Sequence, residues 1–74
     1  MMSQGVLQRS VSGIFHLNNK ILQSGTTIEI RIDGTWLLGV VEIYSEYCCW
    51  FSSQDAIPVI LRNGIVARFP DKRG

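Results

Sequence analysis

Three side chains in this sequence are of the types that nucleophilic, redox or metal chemistry uses: His16 and the adjacent pair Cys48-Cys49. A histidine serves as a general base or a metal ligand near neutral pH. A thiol pair can cycle through a disulfide or ligate zinc. Number and spacing argue against each use. There is no second histidine, and no Cys/His set has the spacing of a structural zinc site. Nucleophile-elbow, P-loop and dinucleotide-binding glycine patterns are absent. In the segment VSGIFHL, His16 alternates with Phe15 and falls on the opposite face, where a histidine is a surface or capping group. Adjacent strand residues point to opposite faces, so one cysteine is expected in the core and the other outside. No Lys, Arg or His lies close in sequence to activate either thiol, and free cysteine packs as a small hydrophobe. The expectation is a non-enzyme with no metal and no cofactor.

The other residues with binding chemistry are aromatic and cationic. Five of the seven aromatics, Trp36, Tyr44, Tyr47, Trp50 and Phe51, fall within one short stretch, which makes that stretch the candidate surface. Arg31 is expected across from Trp36, as a cation–π pair worth ~0.5–1 kcal/mol. Glu42 interrupts the apolar run and needs water or a partner, with Arg31 and Arg68 as candidates. The predicted interaction surface is therefore Trp36, Arg31, Leu38, Tyr44 and Glu42. The overall charge is +1, which gives no global electrostatic case for nucleic acid. The distribution is uneven. Residues 1–61 sum to −2, whereas Arg62, Arg68, Lys72 and Arg73 against Asp71 give the last thirteen residues +3. A nucleic-acid-binding alternative rests on those four cations lying on the same face as Trp36 or Tyr44.

The elements that must position these residues are strands. Ile28, Ile30 and Ile32 alternate with Glu29 and Arg31, and Asp33-Gly34 follows at once. Alternation of period two with a turn dipeptide of positive-φ formers reads as a β-hairpin. A two-residue turn pairs Ile32 with Thr35, Arg31 with Trp36 and Ile30 with Leu37. Opposed residues share a face. One face then carries Ile28, Ile30, Ile32, Leu37, Val41 and Ile43. The other carries Trp36, Leu38, Val40, Glu42 and Tyr44 beside Glu29 and Arg31. Gly39 is expected where the strand bends sharply. Further short strands are predicted over 11–17, 47–52, 57–61 and 65–69, with Pro58 confining its strand to an edge or to the strand's first residue. Asn18-Asn19, Ser24-Gly25 and Asn63-Gly64 are turn signals. Residues 1–10 and 70–74 read as loose tails, the first with an added edge strand as the alternative. No stretch has a 3.6-residue period long enough for a helix. Short strands joined by tight turns bury a core by closing on themselves, so the predicted fold is an all-β, five- or six-stranded barrel of antiparallel hairpins.

Seventy-four residues make one domain, and a chain this short buries only roughly 60% of its unfolded surface. Domains of this size use disulfides, metals or partners as staples. The first two are missing from the sequence, and only 18% of residues are charged, against about 25% in typical domains. The surplus apolar surface points to a homo-oligomer or a protein partner. The N-terminal segment lacks a signal-peptide pattern, and no stretch approaches the ~20 apolar residues of a membrane span. The expected location is cytoplasmic, where vicinal thiols stay reduced.

The spacing D-G-x-W-x-x-G-x-x-E over Asp33–Glu42, Trp50, and N-G-x-x-A-R over Asn63–Arg68 resembles an uncharacterised family of short bacterial proteins. That family looks like the wider class of Src-homology-3-like β-barrels. The resemblance spans roughly residues 25–68 and rests mostly on turn and core signals. It implies the small-barrel fold and no particular activity. Src-homology-type grooves pair aromatics with acidic loops to take proline-rich peptides. This chain has the aromatics and lacks the acidic loop. The functional expectation is a small binding or self-assembly module, with a regulatory or counter-defence inhibitor as one form of it. A small-ligand binder at a subunit interface is the third alternative.

Overall fold

The computed structural model describes residues 4–70. Nine strands follow one another with no helix between them: β1 (Gln4–Val6), β2 (Gln8–Arg9), β3 (Phe15–Leu17), β4 (Lys20–Ile21), β5 (Thr27–Ile32), β6 (Thr35–Ile43), β7 (Cys48–Ser52), β8 (Pro58–Ile60) and β9 (Val66–Arg68). They form a six-stranded antiparallel sheet in the order β1-β9-β5-β6-β7-β8 and a three-stranded sheet in the order β2-β3-β4. The chain is all-β and built from antiparallel pairs, as the alternation and turn signals predict.

The β5–β6 hairpin has the predicted register: Ile32 opposite Thr35, Arg31 opposite Trp36, Ile30 opposite Leu37. Its turn residues, Asp33 and Gly34, have φ of 50° and 79°, the doubly positive geometry whose twist matches the flanking strands. Asn18 and Asn19 make the same kind of turn between β3 and β4, at φ 51° and 66°. At the other end of the hairpin, Gly25 and Thr26 together oppose Val41. The Val41 N–H donates to the Thr26 carbonyl and the Gly25 N–H donates to the Val41 carbonyl. Two residues against one make a β-bulge, and Gly25 supplies the positive φ of 92° that it requires.

The barrel does not close. β1 and β8 are the two edges of the six-stranded sheet, and no pairing joins them. Both are three residues long. β8 begins with Pro58, which has no N–H to offer a further strand. After β1 the chain turns at Leu7 into the second sheet, with Leu7 hydrogen-bonded both ways to the 64–65 turn. Of the two readings of the first ten residues, the added edge strand is the one found over residues 4–6, where β1 forms the sheet's edge, and residues 8–9 join the second sheet. Leu7 is fully buried, which holds the segment down. Strand formation over 11–17 is confined to Phe15–Leu17, because Ser10 to Ile14 close into a turn.

One core lies between the two sheets. Ile28, Ile30, Val41, Trp50 and Ala67 from the large sheet meet Phe15, Leu17 and Leu22 from the small sheet and its flank. Trp50 is its centre. The indole Nε1–H donates to the Ile28 carbonyl at 3.1 Å, so the ring's one polar group is satisfied while fully buried. Gly39 makes room for it. A methyl group on Gly39 would overlap the indole and the Phe51 carbonyl. The mid-strand glycine therefore answers to a close approach by an aromatic ring. Ile43, assigned by alternation to the core face, is exposed instead, because it lies at the end of β6 beyond the small sheet's cover.

Candidate interaction surface

Outward-facing residues of the large sheet follow from its registers. Val40 opposes Phe51, and Phe51 opposes Pro58. Glu42 opposes Cys49, and Cys49 opposes Ile60. Leu38 lies one step along β6 from Val40 on the same side, its carbonyl accepting from Ser53 N–H. The outer side of β6-β7-β8 thus carries Leu38, Val40, Phe51, Pro58 and Ile60 in adjoining positions. Leu38 is 42% exposed and Ile60 54%, so no described residue covers these two side chains.

Past the Leu38 end of this face, on the core side of the sheet where the barrel stands open, lies an apolar groove of about 570 Å³, with Leu38 at its rim. Ile32 and Leu37 form one wall, Trp50 lies at its floor, and the 52–57 loop forms the other. The loop is held by Ser52, whose hydroxyl accepts from the N–H groups of Asp55 and Ile57. Its own N–H donates to the Ile57 carbonyl and its carbonyl accepts from Ala56. Ala56 takes φ +54° there, and four hydrogen bonds around Ser52 hold it in that uncommon conformation. Ile57, 55% exposed, forms the groove's lip.

Trp36 and Arg31 come together as predicted, with the guanidinium carbon 5.5 Å from the ring centroid. A second cation lies closer: Arg68 is 4.1 Å from the same ring. Its Nε–H donates to Glu29 Oε1 at 2.7 Å. The salt bridge predicted for Glu42 with Arg31 or Arg68 is absent. β9 pairs with β5 and sets Arg68 directly opposite Glu29, while Glu42 sits two strands away, opposite Cys49. Trp36 is half-buried between the two arginines. It borders the apolar surface without standing at its centre.

Tyr44 belongs to a different region. It lies past the end of β6, stacked on Tyr47 with ring centroids 5.0 Å apart. Arg62 is exposed and lines the same cleft as Tyr44 and Tyr47. The cations of the nucleic-acid alternative are therefore split: Arg68 with Trp36, Arg62 with Tyr44. Lys72 and Arg73 lie outside the described residues.

The two cysteines point to opposite sides of the sheet as expected, but both are buried, the outward one included. Cys48 points into the core beside Trp50. Cys49 faces the outer side, yet its small side chain is enclosed between Glu42 and Ile60 of the neighbouring strands. Burial pushes the Cys48 thiol pKa up, partly offset by the positive charge of Arg9. His16 is half-buried on β3 between Phe15 and Leu17. Among the described residues no three His, Cys, Asp or Glu side chains converge on a possible metal position. Among the described residues no helix is long and apolar enough to cross a membrane.

Phe51, Ile57 and Ile60 are the surface residues that sequence reasoning did not place. The signal for Ile57 and Ile60 was Pro58, which confines its strand to an edge and leaves one side uncovered. Phe51 required the β6–β7 register, which the weak Ser45-Glu46 turn does not specify. No protein-family model, curated protein or solved structure matches the chain.

Proposed function

We propose that this chain is a small non-catalytic module that works by self-association, and that a second copy covers the outer face of β6-β7-β8. The observation that carries the reading is the apolar line from exposed Leu38 through half-buried Val40 and Phe51 to exposed Pro58 and Ile60. An apolar surface continuous over three strands is unusual on a monomer.

Three arguments favour a second copy as the occupant. The domain is small, without a disulfide, and has two sheets that leave an open barrel, so burying a further face adds stability where the fold is poorest in it. On the three strands the surface carries a single charge, Glu42 in the row of Cys49 and Ile60, so it offers no ionic pattern that would select a foreign partner. A flat apolar face meets itself readily across a two-fold axis, the commonest arrangement of homo-oligomers.

Light scattering across a concentration series tests the proposal. The expected result is a dimer that dissociates on dilution, and a monomer at all concentrations for Leu38→Glu and Ile60→Glu with the far-ultraviolet spectrum unchanged. A wild-type chain that is monomeric at the highest attainable concentration would overturn it. So would a dimer that survives both substitutions.

A further inference from the structure

On the opposite end of β6 from the groove, a second concavity of about 430 Å³ lies between the two sheets. It is chemically unlike the first. One wall is the Tyr44–Tyr47 turn, closed by the Tyr44 N–H donating to the Tyr47 carbonyl at 2.8 Å. The two rings stack at 5.0 Å with a 30° interplanar angle, and each is nearly half exposed, at 44% and 47%. Two stacked tyrosines left in water form an aromatic platform with an open outer ring face.

The other walls supply positive charge from two separate segments. Arg9 comes from β2 and Arg62 from the turn after β8. The Arg9 backbone N–H donates to the Asn63 side-chain Oδ1 at 2.6 Å, which ties β2 to the turn after β8, and both arginines line the one cleft. Both side chains are exposed, and neither has a carboxylate within salt-bridge distance among the described residues. Arg68, by contrast, is neutralised by Glu29. The Arg9 guanidinium lies over the ring of Phe15, itself part of the cleft, with its central carbon 5.9 Å from the centroid. Ser12 adds a hydroxyl at the rim, and Glu46 is the cleft's one anion.

We infer that this cleft binds a planar aromatic group carrying a phosphate, a nucleotide, with the ring stacked on the Tyr44–Tyr47 platform and the phosphate held by Arg9 and Arg62. Guanidinium groups are suited to phosphate because their donors are fixed in a plane and stay charged. A base stacks on an aromatic side chain whatever its identity. The volume falls within the range of small-ligand sites and suits a single nucleotide. Arg9, Lys20, Arg31, Arg62 and Arg68 are exactly balanced by Glu29, Asp33, Glu42, Glu46 and Asp55 in the described residues, so there is no long basic track to follow a polymer backbone. The ligand is a free nucleotide or one unit of a single strand.

Titration of the ¹⁵N-labelled full chain with AMP, adenosine, inorganic phosphate and a short oligothymidylate tests the assignment. AMP is expected to bind saturably and to shift amide resonances of Arg9, Tyr44, Tyr47 and Arg62, with adenosine and phosphate each binding at least about tenfold more weakly. Arg62→Ala and Tyr47→Ala, both exposed positions, should each weaken AMP about tenfold. Oligothymidylate binding tighter than AMP at the same resonances would identify the strand as the source, and AMP binding tighter would identify the free nucleotide. The inference is overturned if AMP causes no saturable shifts, if phosphate alone binds as well as AMP, or if Tyr47→Ala leaves AMP affinity unchanged. These residues lie apart from Leu38 and the groove, so failure here leaves self-association standing, and the converse.

Discussion

The two faces of the β5–β6–β7 sheet are made by the same alternating strands and come to opposite ends. On the inner face, Ile28, Ile30, Val41 and Trp50 meet side chains from the second sheet and lose all contact with water. On the outer face, Leu38, Val40, Phe51 and Ile60 are nearly as apolar and meet nothing comparable. The difference lies in what the rest of the chain can reach. Among the described residues the segment that covers a face, residues 7–22, crosses at Leu7 and spends itself on the inner side. A chain of this length covers one face of such a sheet. Among the described residues none is left over to cover the second face.

The comparison breaks most visibly at Trp50. Trp50→Ala removes the largest buried side chain and leaves the Ile28 carbonyl without its indole donor. The expected cost is about 3–5 kcal/mol in a denaturant titration, enough to unfold a domain of this size. A well-folded Trp50→Ala variant with a loss below about 1 kcal/mol would mean that the inner face is as dispensable as the outer one.

Gly39→Ala tests the same face from the opposite strand. The added methyl group would press on the indole and on the Phe51 carbonyl, and the backbone carbonyl cannot swing aside. About 2 kcal/mol is expected, within the usual range for overpacking. If the loss arises from this overlap, Trp50→Phe, which is smaller, should make Gly39→Ala less costly. Additive effects of the two changes would show that the glycine answers to something other than the ring.

The hairpin and its faces were legible because their signals are local. Asp33-Gly34 determines that Ile32 meets Thr35, and every pair above it follows by counting. Glu42 was misread because its partner depended on a long-range pairing. β9 could lie beside β8, its neighbour in sequence, or cross to β5, and the Asn63-Gly64 turn permits either. In the structure it crosses, Arg68 lands on Glu29, and Glu42 is left at the margin. Leu7 was missed for a related reason: one leucine in a polar stretch has no period to announce it. Tyr44 shares a parity with Trp36 along β6, but parity says which side a residue faces and nothing of distance. Eight residues of strand carried it to the other end of the sheet, into a different site.

Between the two faces stands the Glu29–Arg68–Trp36 cluster, on the outer side yet partly screened. Arg68→Ala removes an ion pair at 2.7 Å and a guanidinium 4.1 Å from the indole. Both side chains of the pair are about one-fifth exposed, so solvent screens part of the interaction. A loss of about 1 kcal/mol is expected. Raising the salt concentration should remove the ion-pair share and leave the ring contact, so wild type and variant should converge only in part. Full convergence would assign the whole effect to charge.

The smallest effect is expected at Leu38, and its smallness is what makes it informative. Leu38→Ser exchanges an exposed apolar side chain for a polar one on the outer face of β6. Val41→Ser makes the parallel exchange three residues along, on the inner face, at a site fully closed to water. Measured at concentrations low enough to keep the chain monomeric, Leu38→Ser should change stability by no more than about 0.5 kcal/mol, while Val41→Ser should cost several times that. At high concentration the order of the two effects on association reverses, because Leu38 then loses the contact that a second copy makes. A loss at Leu38 as large as that at Val41 in the monomer would mean that the chain covers this face by itself, and the distinction between the two sides of the sheet would disappear.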